Sequence, residues 1–181
     1  MGGLALRVRQ RALELSAAGE DDLGAASLGV RVLSARKIRA AEKALGLTLP
    51  GSLREMYAEV GNGGFGPGYG LIGLIGGARN EDRNDVVGQY RMYRTPDPDD
   101  ELWSWPSSLL PVVNLGCAMY FCVDANSPEG DVTWFEPALI EPGTSSARAF
   151  IPLGRTFASL MDGWVAGEPT VDVLEAAQPP A

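Results

Sequence analysis

A run of glycines divides the chain and limits what it can fold into. Six of the ten residues from 61 to 70 are glycine, in the sequence GNGGFGPGYG. Glycine is unfavourable inside regular helices and strands because it loses the most conformational freedom on folding. The run therefore predicts a compact turn with residues at positive φ, and regular elements on either side of it.

Residues 61–66 also fit the dinucleotide-binding pattern G-x-G-x-x-G. A loop of that kind follows a strand and opens a helix, so that free N–H groups and the positive helix end face a phosphate. Here the order is reversed, because residues 52–60 have apolar side chains at helical spacing and LIGLI, residues 71–75, is β-like. We therefore predict a structural turn in which Gly61 is a left-handed helix cap together with Asn62.

Apolar residues at helical spacing predict five helices, and the residues at their ends support several of them. The predicted helices are residues 4–18, 34–46, 52–60, 84–94 and 156–167. Ser34 and Asn84 are natural N-caps, and Gly46 is a natural C-terminal stop. Pro50 suits the first turn of the third helix. The second helix has a solvated basic face, but the acidity of the whole chain argues against a nucleic-acid role. That face consists of Arg36, Lys37, Arg39 and Lys43.

The second half of the chain predicts a sheet. Its strands are residues 109–116 (LLPVVNLG), 117–124 (CAMYFCVD) and 131–137 (DVTWFEP). The turn ANSPEG joins the last two. Asp124, Asn126 and Glu129 suggest a calcium loop as an alternative. However, Pro128 and Glu129 stand where that motif needs a ligand and a glycine, so we predict a hairpin turn and no metal site.

The sequence contains no histidine, which removes Ser-His-Asp and Cys-His nucleophilic sites, helical zinc proteases and most zinc centres. It also lacks G-x-S-x-G, C-x-x-C and Gly-Lys-Ser/Thr. In an extended strand, Cys117 and Cys122 would lie about 16 Å apart on opposite faces, too far for a disulfide. We therefore expect both to be reduced and at least one to be buried. No cofactor is indicated, and carboxylate-only catalysis is the enzymatic alternative that remains.

Length and composition describe one soluble domain without a targeting segment. The 181 residues suit a single domain with a substantial core. No apolar run approaches the length of a membrane span. Arg7, Arg9 and Arg11 interrupt the first apolar stretch, which therefore differs from a signal peptide. We expect a cytoplasmic protein.

An ordered set of motifs resembles the SUKH superfamily, specifically its Smi/Knr-type domain in the bacterial form. In LTLPGSLREMYAEVGNGGFGPGYGL, a Leu-Pro pair, a short helix and Asn-Gly-Gly follow one another. The resemblance continues through WPSSLLPVVNLGCAMYFCVD, DVTWFEP and the terminal helix ending in GWVAGE, and it covers residues 36 to about 168. The residues of the structural motif are Pro50, Gly61, Asn62, Gly63 and Gly64.

The resemblance implies a single α+β domain in which a mostly antiparallel sheet packs against N-terminal helices and a C-terminal helix. Residues 34–168 would form this domain, with a helical extension and connector at 1–33 and a loosely ordered tail at 169–181. Many bacterial members are immunity proteins, which bind and neutralise a toxin, often a nuclease; others are regulatory or scaffold proteins. The family pattern contains no catalytic residues. We therefore expect a non-enzymatic protein-binding domain with no cofactor and no direct nucleic-acid or membrane partner.

Acidic residues are concentrated in one block of the sequence. Residues 95–147 contain nine acidic residues and no Lys or Arg, and the formal net charge of the chain is −8. A clustered negative surface would steer the chain to a basic partner such as a nuclease, whereas acidic loops that only maintain solubility are the alternative. Trp103 and Trp105 are interface anchors or, by preference, core residues. The candidate partner-binding residues are Asp97, Asp99, Asp100, Glu101, Asp124, Glu129, Asp131 and Glu136.

Overall fold

Short apolar runs in the second half of the chain form a four-stranded antiparallel sheet in the computed structural model. The structure describes residues 3–18, 31–98, 101–141 and 143–177. The strands lie in the sheet in the order in which they follow along the chain. They are β1 (Leu109–Gly116), β2 (Met119–Asp124), β3 (Asp131–Phe135) and β4 (Phe150–Thr156). The expected single α+β domain with an antiparallel sheet is confirmed.

The turn between β1 and β2 changes the position of one cysteine. Cys117 and Ala118 form this turn with φ values of 52° and 61°, so the prediction that Cys117 lies within a strand is wrong. Cys117 is exposed, Cys122 is buried in β2, and both are free. Burial raises the pKa of the Cys122 thiol well above its usual value. The expectation of two unpaired thiols, at least one of them buried, is confirmed.

The loop between β2 and β3 is the predicted hairpin turn. Asp124 Oδ1 accepts a hydrogen bond from Asn126 N at 2.8 Å, which closes a local turn. Gly130, at φ 70°, leads the chain into β3. Within the described residues, no three Cys, Asp or Glu side chains are grouped so that they could hold a metal ion.

The sequence pattern does not predict β4, because Pro152 and Gly154 interrupt it. An irregularity in the pairing of β3 with β4 accommodates the interruption, and Gly154 has a φ of 63°. β4 also lies at the edge of the sheet, where a proline need not break a ladder hydrogen bond. A strand can therefore form here despite both residues.

The described residues form six α-helices. They are α1 (Gly3–Ala18), α2 (Ala35–Leu45), α3 (Gly51–Glu55), α4 (Val86–Arg94), α5 (Phe157–Val165) and α6 (Thr170–Ala177). All five predicted helices are present, and α3 continues into a π-helical turn, Met56–Val60. In the part of the chain that the structure describes, no helix has the length and apolar character that crossing a bilayer requires.

The helix caps confirm two predictions and correct a third. Ser34 Oγ accepts a hydrogen bond from Lys37 N at the start of α2, and Gly46 ends this helix at φ 70°. At α4 the N-cap is Asp85, whose Oδ1 accepts from Gly88 N at 2.8 Å. The prediction of Asn84 as the cap is wrong by one residue, because the amide of Asn84 instead bonds to Gln89 inside the protein.

The end of the described chain is a helix, where a loosely ordered tail was expected for 169–181. Val173 of α6 is only 5% exposed, so this helix has an apolar contact with the core. Thr170 Oγ1 accepts a hydrogen bond from Gly68 N at 3.0 Å, which ties the helix to the glycine-rich loop. Residues 178–181 of the expected tail lie outside the described residues, and so do residues 19–30 of the expected connector.

Helices and aromatic side chains contribute to the core of the protein. α1 lies against α5 and the π-helical turn, and its Ala5, Val8 and Ala12 are completely buried. Near the end of β3, the ring of Trp105 lies 4.4 Å from Tyr93 and 4.9 Å from Phe135 between centroids. Trp105 is 1% exposed, so the core assignment is correct for this residue.

Candidate functional site

The glycine-rich segment begins with an extended residue. Gly61 has φ 173° and ψ 167°, so its prediction as a left-handed cap is wrong. Its N–H donates to Met56 O at 3.1 Å and completes the π-helical turn, which displaces the end of the helix from the position that an α-helix would give. The left-handed residues are the next glycines of the motif, Gly63 and Gly64, both at φ 86°.

Hydrogen bonds within the protein occupy several N–H groups in the glycine-rich segment and the loop that follows it. Gly64 N donates to Leu71 O at 2.8 Å, and Gly76 N donates to Asp85 Oδ2 at 2.7 Å. The N–H of Gly68 is bonded to α6, as described above. These donors point into the structure, which supports the structural interpretation of the glycines over the phosphate-loop alternative.

The predicted strand LIGLI is not regular. Leu71 forms one isolated bridge with Val113, and Ile72 N donates to Val112 O at 2.7 Å. The segment therefore runs along the outer edge of β1 without becoming a strand. The prediction of a strand here is wrong, since the chain leaves this edge after two residues to form the turn that Asn62 holds.

Asn62 is the central polar residue of this region and is 4% exposed. Its Oδ1 accepts from Leu74 N at 2.8 Å, and its Nδ2 donates to Ile75 O at 3.1 Å. A Cβ at Gly77 would lie 2.3 Å from Asn62 O, so the returning chain passes too close for a side chain. Asn62 therefore bridges two loops, a role that its interpretation as a helix cap did not contain.

A second buried polar group holds the start of α4. Asn80 Nδ2 donates to Gln89 Oε1 at 2.6 Å and to the Tyr120 hydroxyl at 2.9 Å. Asn80 Oδ1 accepts from Asn84 N at 2.8 Å. Burial raises the pKa of the Tyr120 and Tyr93 phenols above their usual value. Except for Gln89 Nε2, which has no hydrogen-bond partner among the described residues, the polar atoms of Asn80, Gln89 and Tyr120 are bonded within the protein, so the group serves the fold.

Two stretches of the acidic block meet at one end of the sheet. Ser104 N donates to Ser146 Oγ at 3.1 Å, and this hydroxyl donates to Ser104 O at 2.8 Å. The ring of Trp103 lies 6.3 Å from that of Phe135, which directly precedes Glu136. The loop before β1 is therefore held beside the segment that connects β3 and β4.

Acidic and apolar side chains occur together at this end. Leu102 and Leu139 are 48% and 42% exposed, and Trp103 is half-buried with its Nε1 donating to Tyr93 O at 2.9 Å. The acidic residues here are exposed except for Glu136, which is half-buried. We call the following residues the acid-leucine surface: Asp97, Glu101, Leu102, Trp103, Glu136, Leu139 and Glu141.

The other predicted acidic residues lie elsewhere. Asp124, Glu129 and Asp131 belong to the hairpin at the start of β3, whereas Glu136 follows its end. The five residues of β3 separate these two groups by roughly 16 Å, at about 3.3 Å per residue. The acidic block is therefore two groups in space. Asp99 and Asp100 lie outside the described residues.

Local contacts hold two acidic side chains of the acid-leucine surface. Glu136 Oε1 accepts a hydrogen bond from Ala138 N at 3.0 Å and caps the short 3-10 turn Pro137–Leu139. Glu141 Oε1 lies 3.6 Å from Arg148 Nη1, with both side chains largely exposed. Such an exposed pair contributes little to stability, so Glu141 can exchange this partner for another cation.

Comparison with known proteins agrees with the fold. Among curated proteins the chain has no significant match. The family described as SMI1 / KNR4 (SUKH-1) matches residues 33–162, well over half of the chain. This match contains the glycine-rich segment, the whole sheet and most of α5. Domains of this family are, in general, protein-interaction domains of the immunity type and are non-catalytic. The chain belongs to the SMI1 / KNR4 family (SUKH-1).

Proposed function

We propose that this chain is an immunity protein, which binds and neutralises a cognate toxin with a basic active-site surface, such as a nuclease. The acid-leucine surface is the observation that supports this proposal. Two exposed leucines and part of Trp103 lie there among four acidic side chains. Protein-binding sites commonly combine apolar and aromatic anchors with a charged rim that sets specificity and association rate.

The charge of the surface fits a nuclease as the partner. A nuclease exposes a positively charged groove to the phosphates of its substrate, and a protein that covers this groove must replace that negative charge. The formal net charge of the whole chain is −8, so it also attracts a positively charged toxin at long range. Binding alone would block the toxin, so the proposal requires no catalysis. We place this neutralisation in the cytoplasm, where a toxin made by the same cell would act.

Co-expression with the product of the neighbouring open reading frame, which the proposal expects to be the toxin, tests the proposal. We expect the chain to restore growth in cells that the toxin alone kills. The proposal would be contradicted if both proteins accumulated, growth were not restored, and the two eluted separately from a sizing column. That outcome would favour the alternative of a regulatory or scaffold module with a different partner.

A matched pair of charge variants tests the surface itself. Each variant removes three carboxylates, and each includes one residue that accepts a local backbone hydrogen bond, Glu136 or Asp124. The surface variant is Asp97→Asn, Glu101→Gln and Glu136→Gln. The control variant is Asp124→Asn, Glu129→Gln and Asp131→Asn.

We expect the surface variant to associate with the toxin about tenfold more slowly than the parent in dilute buffer, and the control variant to remain close to the parent. The difference should narrow as the Debye length falls from ~10 Å at 0.1 M salt to ~3 Å at 1 M. Stopped-flow association rates measure both effects. Equal rates for all three proteins at low salt would show that the acid-leucine surface does not steer binding.

A further inference from the structure

The outer edge of the first half of β4 presents hydrogen-bond acceptors and no free N–H donor. Glu136 N donates to Ala149 O at 2.9 Å. By the alternation of an antiparallel ladder, Ile151 then also faces β3, and Phe150 and Pro152 face outward. The N–H of Phe150 is bonded within the preceding 3-10 turn, and proline has none. The carbonyl oxygens of Phe150 and Pro152 are therefore what this edge offers.

The opposite edge of the sheet is already occupied. The glycine-rich segment follows β1, with Tyr69 N donating to Asn114 O at 2.8 Å and Ile72 N donating to Val112 O at 2.7 Å. A strand that joins a sheet needs alternating donors and acceptors along the edge. At these residues neither edge offers alternating N–H donors and carbonyl acceptors. A partner that binds here would therefore do so through its own side chains and not as an added strand.

A groove of about 600 Å³ lies beside the free edge of β4. Apolar residues of the 3-10 turn, β4 and α6 line it: Ala138, Leu139, Phe150, Ile151, Pro152 and Ala177. The exposed pair of Glu141 and Arg148 also lines it. Clefts of this volume hold a small ligand or a few side chains. Because Leu139 and Glu141 belong to both, the groove continues the acid-leucine surface.

We infer that this groove receives a short segment of the toxin in which an apolar side chain stands next to an arginine or a lysine. The inference rests on the proposed function. The apolar side chain lies between Leu139 and Pro152. The neighbouring cation donates to the carbonyl oxygens at the edge of β4 and to Glu141, where it displaces the weakly held Arg148.

Charge selects a basic toxin over a second copy of this chain as the occupant. Carbonyl oxygens of β4 lie along the groove, Glu141 lines it, and Glu136 caps the 3-10 turn that forms one of its sides. A second copy would bring a further formal charge of −8 towards these acids. Like charges across an interface oppose association, whereas a cationic segment matches both the acceptors and the carboxylates.

Groove variants and the purified toxin domain test the inference. Leu139→Ser removes the apolar contact, and Ala138→Arg places bulk and a positive charge in the groove. Leu13→Ser is the control, because Leu13 on α1 is 53% exposed, against 42% for Leu139. We expect both groove variants to dissociate from the toxin at least about tenfold faster than the parent. Leu13→Ser should remain within about twofold, and Leu139→Ser should keep the parental association rate.

Pro152→Val adds an N–H to the edge while keeping an apolar side chain. Because Pro152 contacts the apolar side chain of the toxin segment, and valine fits that contact no better, we expect this variant to dissociate no more slowly than the parent. Dissociation about tenfold slower would show that the partner adds a strand, and would overturn the inference. Parental dissociation rates for both Leu139→Ser and Ala138→Arg would also overturn it and leave the immunity role intact. If the parent itself neither binds the toxin nor restores growth, the proposed function and this inference both fail.

Discussion

The glycine-rich segment and the acid-leucine surface both lie in loops and short turns, but the fold uses them differently. In the glycine-rich segment, Asn62 is buried and both ends of its amide are bonded to backbone. In the acid-leucine surface, Glu136 holds one exposed turn, while Leu102 and Leu139 leave about half of their area in water. The polar groups of the first region are therefore bonded within the fold, whereas the second region leaves apolar and acidic side chains exposed at the surface.

This difference indicates where a function should be sought in a chain of this type. Residues 61–66 fit a pattern known for dinucleotide binding, yet the N–H groups of Gly61 and Gly64 donate to carbonyl groups inside the protein. In the acid-leucine surface, by contrast, Leu139 and Leu102 are 42% and 48% exposed, and exposed apolar side chains within a charged surface are typical of interaction sites. Substitutions in the first region should therefore change stability, and those in the second should change binding.

The largest effect is expected when a methyl group is added to a left-handed glycine of the glycine-rich segment, and Gly143, two residues after Glu141 of the acid-leucine surface, is the comparison. At Gly63, at φ 86°, a Cβ would lie 2.5 Å from Leu71 O and 2.6 Å from Gly73 N. At Gly143, at φ 77°, a Cβ would have no atom within 4 Å. Gly63→Ala should destabilise the protein by about 4 kcal/mol or more, because backbone must move. Gly143→Ala should destabilise the protein by only about 1–2 kcal/mol, which is the strain of an alanine at positive φ.

Urea unfolding of both glycine variants measures this difference. Gly63 and Gly143 have similar positive φ values, so the difference between the two variants reports the close packing around Gly63. Equal losses of stability would mean that this segment is no more tightly packed than the loop before β4.

Local sequence explains why part of the fold is predictable. The caps Ser34 and Gly46 act within one turn of their own helix, so residue type alone identifies them. The conformation of Gly61 depends on a π-helical turn, and β4 depends on an irregularity that accommodates Pro152. The separation of the acidic block into two groups follows from the extended conformation of β3, which places acids that are close in sequence at opposite ends of a strand.

The next largest effect is expected from removing one polar side chain in each region. Asn62→Ala leaves the buried Leu74 N–H and the Ile75 carbonyl without their partner, which should cost roughly 2–4 kcal/mol. Glu136→Ala removes an exposed cap of a 3-10 turn and should cost about 0.5–1 kcal/mol. Thermal and urea unfolding of the two variants check both values. A loss below about 1 kcal/mol for Asn62→Ala would contradict its bridging role.

Alkaline pH should act on the core beneath the glycine-rich segment. Burial raises the pKa of the Tyr57 phenol far above 10.0, and the Tyr57 hydroxyl donates to Ile72 O at 2.7 Å. The unfolded chain releases this proton near pH 10 and the folded chain does not. This stability is therefore fully present below pH 10 and is lost as pH rises above it, by about 1.4 kcal/mol per pH unit for one such group.

Tyr57→Phe separates this contribution from those of the other tyrosines. The variant should be less stable than the parent at pH 8 by about 1 kcal/mol, because the Ile72 carbonyl loses its donor. Its stability should also fall less steeply between pH 10 and 11, as measured by urea unfolding at each pH. Parallel pH profiles for the variant and the parent would show that Tyr57 does not carry the effect.

The smallest effect on stability is expected from the charge variants of the acidic regions. In the acid-leucine surface variant, Glu136→Gln keeps an oxygen that can accept from Ala138 N, Asp97→Asn likewise keeps an acceptor oxygen, and Glu101 is exposed. Three carboxylates fewer also reduce repulsion in a chain with a formal net charge of −8. The free energy of unfolding should therefore change by no more than about 0.5 kcal/mol at low salt, in either direction. The same limit applies to the control variant at Asp124, Glu129 and Asp131.

Urea unfolding of both charge variants at low and high salt measures this change. A loss above about 2 kcal/mol in the surface variant alone would show that its acids hold the fold, and a slower association with the toxin could then no longer be attributed to steering.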